Sequence, residues 1–243
     1  MLSAIEISLI LGVIAGLANL FGASIVSARA WSRPFLACFI ALGSGFMLAT
    51  AMTEMIPESL RLAPAAGPVL VLAGYLIVHL FEHVWPRHFH FGEETHPEEF
   101  LHAGVAYTAL GGLLVHTFLD GVALVSGFMI SNWLGTVIFG ATILHNVPEG
   151  FTISSVMVTA GKGRGNGMKA AGALGLSRMA GIVSMGLVEQ RWVAFGLAVS
   201  AGATLYVAAS DLIPEVNKKP GIRIALAVGA GVVMVVLLKM LFV

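Results

Sequence analysis

The stretch Ile143-Leu144-His145-Asn146-Val147-Pro148-Glu149-Gly150-Phe151 lies midway through an apolar run spanning residues 133–159. A helix needs about 20 apolar residues to cross the hydrocarbon of a bilayer, so this run reads as a span. His145 and Glu149 stand four residues apart and share one helix face. Ionisable groups at such depth are expensive and default to functional or paired roles. Pro148 has no N–H and should release the carbonyl of Leu144. Such irregularity is tolerated at membrane depth where the backbone lines a cavity or is buried in protein. The preceding apolar run, 104–129, repeats the pattern as His116-Thr117-Phe118-Leu119-Asp120-Gly121. Two such faces meeting across a helix pair would offer four ligands, imidazole nitrogen and carboxylate oxygen. That set suits Zn²⁺, with Cd²⁺, Fe²⁺ and Mn²⁺ as alternatives. The competing reading makes each pair an intrahelical hydrogen bond that only glues the bundle.

Working outward, six further runs are long enough to span: 4–27, 35–57, 66–84, 169–188, 192–213 and 222–242. The fold class expected is an all-α integral membrane protein with eight transmembrane helices, forming one domain over residues 1–243. Composition agrees: 58% of residues are hydrophobic and 11% charged, against about 25% charged in a soluble domain. Lipid must therefore cover much of the surface. The first run has no basic segment before it and is read as a span rather than a cleaved leader. Net charge is zero, so no whole-protein basic field attracts nucleic acid. The lone cysteine, Cys38, excludes an intrachain disulfide and a multi-cysteine zinc site.

Connections are short and polar except for 85–102, which is rich in His and Glu. Gly161-Lys-Gly-Arg-Gly-Asn-Gly167 reads as a flexible linker. With eight spans, loops alternate sides. One side holds Arg29, Arg33, Arg87, Lys162, Arg164, Lys169, Lys218, Lys219 and Arg223; the other holds only Arg61, Arg191 and Lys239. Basic loops face the cytosol. Both termini are therefore expected outside and the 85–102 loop inside, in a multi-pass protein of the cell membrane.

The second and seventh runs end alike, Thr53-Glu54-Met55-Ile56-Pro57-Glu58 and Ser210-Asp211-Leu212-Ile213-Pro214-Glu215, 157 residues apart. In the expected topology these helices run in opposite directions. That gives a 3+2+3 arrangement in which helices 1–3 and 6–8 are inverted repeats, as in many secondary transporters. Glu58 and Glu215 would then mark the outer and inner mouths. Glu54 and Asp211, one turn further in, are candidates to relay metal. Asn19 is expected to make an interhelical hydrogen bond, and His79 and His83 to be structural rather than ligating. Trp31, Trp85, Trp133 and Trp192 all fall near expected interfaces, as an aromatic belt should.

At this point the sequence resembles the ZIP (Zrt/Irt-like) family of divalent-metal transporters, of bacterial type. The fifth-helix pattern His-Asn-x-Pro-Glu-Gly of that family is matched in full by His145 to Gly150, and Ile56-Pro57-Glu58 and Ile213-Pro214-Glu215 come close to its Leu-Pro-Glu. The resemblance implies eight helices, outside termini, a cytosolic loop after helix 3, and a binuclear centre on helices 4 and 5 with a further ligand from helix 6. Carried onto this chain, the metal residues are His116, Asp120, His145, Asn146 and Glu149. Three positions depart from the pattern: Thr117 replaces Asn, Leu119 replaces Pro, and Arg178 stands where the sixth-helix Gly-Leu-x-Glu-Pro has its bridging Glu. Arg is effectively always charged. At 4 Å from a dication and an effective dielectric near 20, repulsion is of order 8 kcal/mol, twice the unit-charge figure. One metal is therefore expected, with Arg178 in place of the second, pairing with Asp120 or Glu149. The alternative turns Arg178 away toward another carboxylate or the interface.

The function these readings imply is transmembrane transport of a divalent transition metal by alternating access between helices 4 and 5. The metal is substrate, and no catalytic cofactor or enzymatic activity is expected. Partners expected are that ion and the lipid bilayer, with a second copy of the chain as a further candidate. A membrane metallohydrolase would need an open metal position, a bound water and a separate base. The chain has no His-Glu-x-x-His, and the acids near the site are already assigned as ligands. A non-transporting metal sensor is the other alternative, for which Arg178 is the best argument.

Overall fold

The computed structural model describes residues 2–28, 33–84, 103–217 and 221–242. The His-rich loop 85–102 lies outside the described residues, as do the side chains of His83 and Glu215. All regular structure among the described residues is helical, and it forms eight bodies. These are α1 (Ala4–Ala28), α2 (Arg33–Thr50, continuing through Ala51–Met55 into Ile56–Leu62), α3 (Gly67–Val84) and α4 (Ala103–Ile130). They continue with α5 (Asn132–Thr159), α6 (Gly163–Gly186), α7 (Val193–Tyr206, continuing through Val207–Leu212 into Ile213–Asn217) and α8 (Ile222–Phe242). In hydrocarbon a helix satisfies every backbone polar group internally, which is why apolar runs of this length become helices. Five of the bodies, α1, α2, α4, α7 and α8, are long and apolar enough to cross a membrane by length and composition. α3 is apolar but shorter in its searched part, and α5 and α6 carry the polar and glycine residues that turn inward.

Local chemistry marks the ends. Ser3 and Glu6 form a capping box on α1, Ser3 Oγ accepting from the Glu6 amide at 3.2 Å and Glu6 Oε2 accepting from the Ser3 amide at 2.7 Å. Ser131 caps α5 by accepting from the Leu134 amide at 3.1 Å. The linker expected over 161–167 is shorter than that, because α6 already begins at Gly163. Gly161, at φ 72°, ends α5: its amide bonds the Val158 carbonyl and the Lys162 amide bonds the Met157 carbonyl. That pair of bonds is the Schellman closure, which needs a left-handed residue at this station.

Helices 2 and 7 also run past their prolines, where spans ending at 57 and 213 were expected. In each, the turn before the Ile-Pro-Glu is π-helical, Ala51–Met55 and Val207–Leu212. The wider turn shifts the hydrogen-bond ladder, and Pro57 then falls in the first turn of the segment Ile56–Leu62, where its missing N–H costs least.

The bodies pack through glycines that bring backbone against backbone, as small residues do in membranes. A Cβ at Gly45 would collide with the Val228 carbonyl, and one at Gly202 with the Val71 carbonyl. Gly74 meets the Val199 carbonyl and Gly231 the Leu42 carbonyl in the same way. Each of these contacts has its counterpart at the same 157-residue offset as Glu54 and Asp211. So α2 pairs with α8 as α7 pairs with α3. A second set ties α5 to α1 and α4 to α6. Gly22 faces the Val147 carbonyl and Gly150 the Asn19 carbonyl; Gly181 faces the Phe118 carbonyl and Gly121 the Arg178 carbonyl. These four contacts seat α1 and α6 on the motif-bearing faces of α5 and α4.

Candidate metal centre

Helices α4 and α5 point their His and carboxylate side chains at one another in the bundle interior. His116, Asp120, His145, Asn146 and Glu149 are all buried, as are Thr117 and Arg178. Ligand atoms of His116, Asp120 and His145 all lie within 4.8 Å of one another. Asp120 Oδ2 stands 3.0 Å from His145 Nε2 and 3.5 Å from His116 Nε2. His145 Nδ1 lies 2.8 Å from the Ala141 carbonyl. A carbonyl can only accept, so Nδ1 carries the hydrogen, and Nε2 is the ring atom turned to the Asp120 carboxylate, to which a metal would bind in place of a proton. Second partners fix the tautomer of ligating histidines in this way. Two imidazoles and a carboxylate at this spacing can hold a transition dication.

Glu149 stands outside that group of three. Its Oε2 accepts from Asn19 Nδ2 at 2.6 Å and lies 3.6 Å from Arg178 Nη2. Its Oε1 is buried with no hydrogen-bond partner among the described residues. Arg178 is fully buried and turns inward, Nη2 lying 3.6 Å from Asp120 Oδ2 as well. The guanidinium is aimed by two amides: Nη1 donates to Asn19 Oδ1 at 2.9 Å and Nη2 to Asn146 Oδ1 at 2.8 Å. Of the two orientations open for Arg178, the inward one is observed, with both carboxylates within reach.

The second motif positions diverge. Asn146 gives its oxygen to Arg178 and its Nδ2 to the Ala15 carbonyl at 2.8 Å, so it bridges α1, α5 and α6. Thr117 bonds back to its own helix, donating to the carbonyls of Leu113 at 3.0 Å and Leu114 at 3.2 Å. Pro148 stays inside a continuous α5, and the Leu144 carbonyl it frees faces Gly43 of α2, where a Cβ would stand 3.1 Å away.

Two of the outlying carboxylates have partners of their own. Glu58 is paired with Arg61, whose Nε and Nη2 donate to it at 2.8 and 2.6 Å. Glu54, in the π turn of α2, accepts from Trp133 Nε1 at 2.9 Å and pairs with Lys239 at 2.9 Å. Asp211 is buried in the matching π turn of α7, beside Ser210, whose hydroxyl meets that of Tyr75 at 2.8 Å. Glu215 belongs to the helical run Ile213–Asn217, with its side chain outside the described residues. His79 packs edge-on to Tyr206, a structural setting. Sequence reasoning had no role at the centre for Asn19 beyond an interhelical bond. A lone amide in an apolar run was the available signal. It also missed that Trp133 and Lys239 converge on Glu54.

Residues 92–239 match the family described as ZIP Zinc transporter. Zinc transporter ZIP9 of Xenopus tropicalis is 30% identical over 162 residues, 62% of this chain and 52% of its own length. Zinc transporter ZIP9 of Micropogonias undulatus is 31% identical over 168 residues, 65% of this chain and 53% of its own. This chain thus spans about half the length of the curated relatives it matches. With the matched residues covering more than half of it, the chain is a multi-pass membrane protein that belongs to the ZIP family.

Proposed function

We propose that the chain carries a divalent transition metal across the cell membrane, Zn²⁺ foremost, with Cd²⁺, Fe²⁺ and Mn²⁺ as alternatives. The observation that carries this is the buried cluster His116, Asp120 and His145, contributed by two facing helices deep in a membrane bundle. Family membership supports the same reading, and it leaves the metallohydrolase without support. In this proposal His116, Asp120 and His145 hold the ion at rest, and Glu149 is a fourth ligand that it can gain during the transport cycle. Arg178 holds the place of a second cation, and Asn146 is engaged with Arg178. Two carboxylates and one guanidinium leave a net charge of minus one with neutral imidazoles, enough to attract one dication and not two.

Alternating access is supported by the two sets of matching close approaches, which pair α2–α8 with α7–α3 and α1–α5 with α6–α4. Bundles related by inverted repeats rock about a midplane site. Outside termini follow from the distribution of Lys and Arg. The deciding experiment is Zn²⁺ flux into proteoliposomes. Uptake by the intact protein and none by His145→Ala, inserted at equal level, is expected. Equal flux in both would remove the centre from the pathway, and metal binding without flux would make the protein a sensor.

A further inference from the structure

Asn19 and Arg178 occupy matching stations. The Asn19 carbonyl is the atom that closes on Gly150, and the Arg178 carbonyl is the atom that closes on Gly121. Gly150 and Gly121 each directly follow the carboxylate of their motif. Thus α1 presents its residue to Glu149 as α6 presents its own to Asp120. The two side chains then meet, Arg178 Nη1 donating to Asn19 Oδ1, and both reach Glu149 Oε2. Asn19 is fully buried, and its Nδ2 also lies 3.2 Å from the Asn146 carbonyl, so its amide has little freedom to turn.

We propose that Asn19 is a positioning residue that withholds Glu149 from the metal: it grips Oε2 and keeps the bound ion on His116, Asp120 and His145 alone until Glu149 is released. This rests on the metal-centre reading above. A charge-assisted hydrogen bond to a carboxylate is among the stronger ones. While it lasts, Oε2 is held on Asn19 beside Arg178, and Glu149 stands outside the group of His116, Asp120 and His145. Removing the donor leaves a buried carboxylate short of partners, which any nearby cation relieves. The ion then gains its fourth ligand, the number Zn²⁺ prefers. A tighter site loads at lower metal concentration and unloads more slowly.

The test is Cd²⁺ and Zn²⁺ titration of the purified full chain by calorimetry, paired with flux measurements. Asn19→Ala is expected to bind about tenfold more tightly than the native protein, the size of one charged hydrogen bond. Its KM and maximal flux should fall together. Asn19→Ser, whose hydroxyl is too short to span the gap, should shift the same way and serves if the alanine variant folds poorly. In a Glu149→Ala background, Asn19→Ala should change Kd by less than about twofold, because the two residues act through one interaction. Unchanged or weaker binding in both Asn19 variants overturns the proposal, as does the same shift in the Glu149→Ala background. If the native protein binds no metal, or binds it as well after His145→Ala, the metal-centre reading itself has failed, and this inference with it.

Discussion

Asp120 and Glu149 occupy the same position in twin motifs, one helix apart, yet they live in different surroundings. Asp120 faces two imidazoles at 3.0 and 3.5 Å. Glu149 is bonded by an asparagine amide and lies beside a guanidinium. The extra methylene of Glu149 over Asp120 is the part of that difference that lies within the motifs. The rest comes from the flanking helices: α1 brings an amide to α5, and α6 brings a cation between the two. The motif sets where a carboxylate stands, and the neighbour at the glycine contact decides what it can bind.

The sharpest way to break this contrast is to delete each carboxylate in turn. Asp120→Ala removes the oxygen that both histidines face, and metal affinity should fall at least a hundredfold, since a two-histidine remnant is a poor site for a dication. Glu149→Ala should cost only about tenfold in affinity, because the ground-state ion already has three ligands. Calorimetric titration with Cd²⁺ reads both. Equal losses would mean that Glu149 is a resident ligand and that the two environments are equivalent in practice.

Much of this was legible beforehand. The buried placement of His116, Asp120, His145 and Glu149 follows from i, i+4 spacing in an apolar run, and the eight bodies follow from run length. The direction of Arg178 could not be read, because it depends on the rotation of α6 against α4, set by the Gly121 and Gly181 contacts. Periodicity cannot register such a rotation in a helix whose surroundings are apolar on most sides. The helices also run through Pro57 and Pro214 rather than ending there. A π turn absorbs each proline, and nothing in residue type announces a π turn. Glu54 shows a third limit. Its partners, Trp133 and Lys239, come from α5 and α8, and a carboxylate read as a relay from its own helix is bound by two others.

Next in size is the exchange of Arg178. The double variant Arg178→Glu, Thr117→Asn replaces a fixed positive charge with a ligand and supplies an amide where α4 has a hydroxyl. The charge at the centre moves from minus one to minus three, and a second dication becomes affordable electrostatically. Metal stoichiometry should rise from one toward two, visible as a second Cd²⁺ peak in anomalous scattering. Two fully occupied sites in the native protein would refute the single-metal reading while leaving the transport assignment standing.

Packing should be symmetric where chemistry is not. Gly121→Ala would drive a Cβ into the Arg178 carbonyl and Gly150→Ala into the Asn19 carbonyl. Backbone cannot yield as a flexible side chain can, so each substitution forces a helix apart, with an expected loss of about 1–3 kcal/mol or more. Thermal melting in detergent should show comparable drops for the two. A large drop for one alone would mean that α1 and α6 are not equivalent supports.

The smallest effect belongs to Thr117→Asn by itself. Thr117 now spends its hydroxyl on the carbonyls of its own helix, a local bond that an asparagine need not keep. The counterpart on α5 shows what an amide does at this station. Asn146 turns its oxygen to Arg178 and its nitrogen to the α1 backbone. With Arg178 still in place, an amide at 117 gains no second metal to bind, because the nearest cation is a guanidinium that cannot leave. Stoichiometry should therefore stay at one and Kd should change by less than about threefold, well under 1 kcal/mol. A second bound metal in this single variant would show that the amide alone opens the second position, and that Arg178 moves aside more readily than its two hydrogen bonds to Asn19 and Asn146 imply.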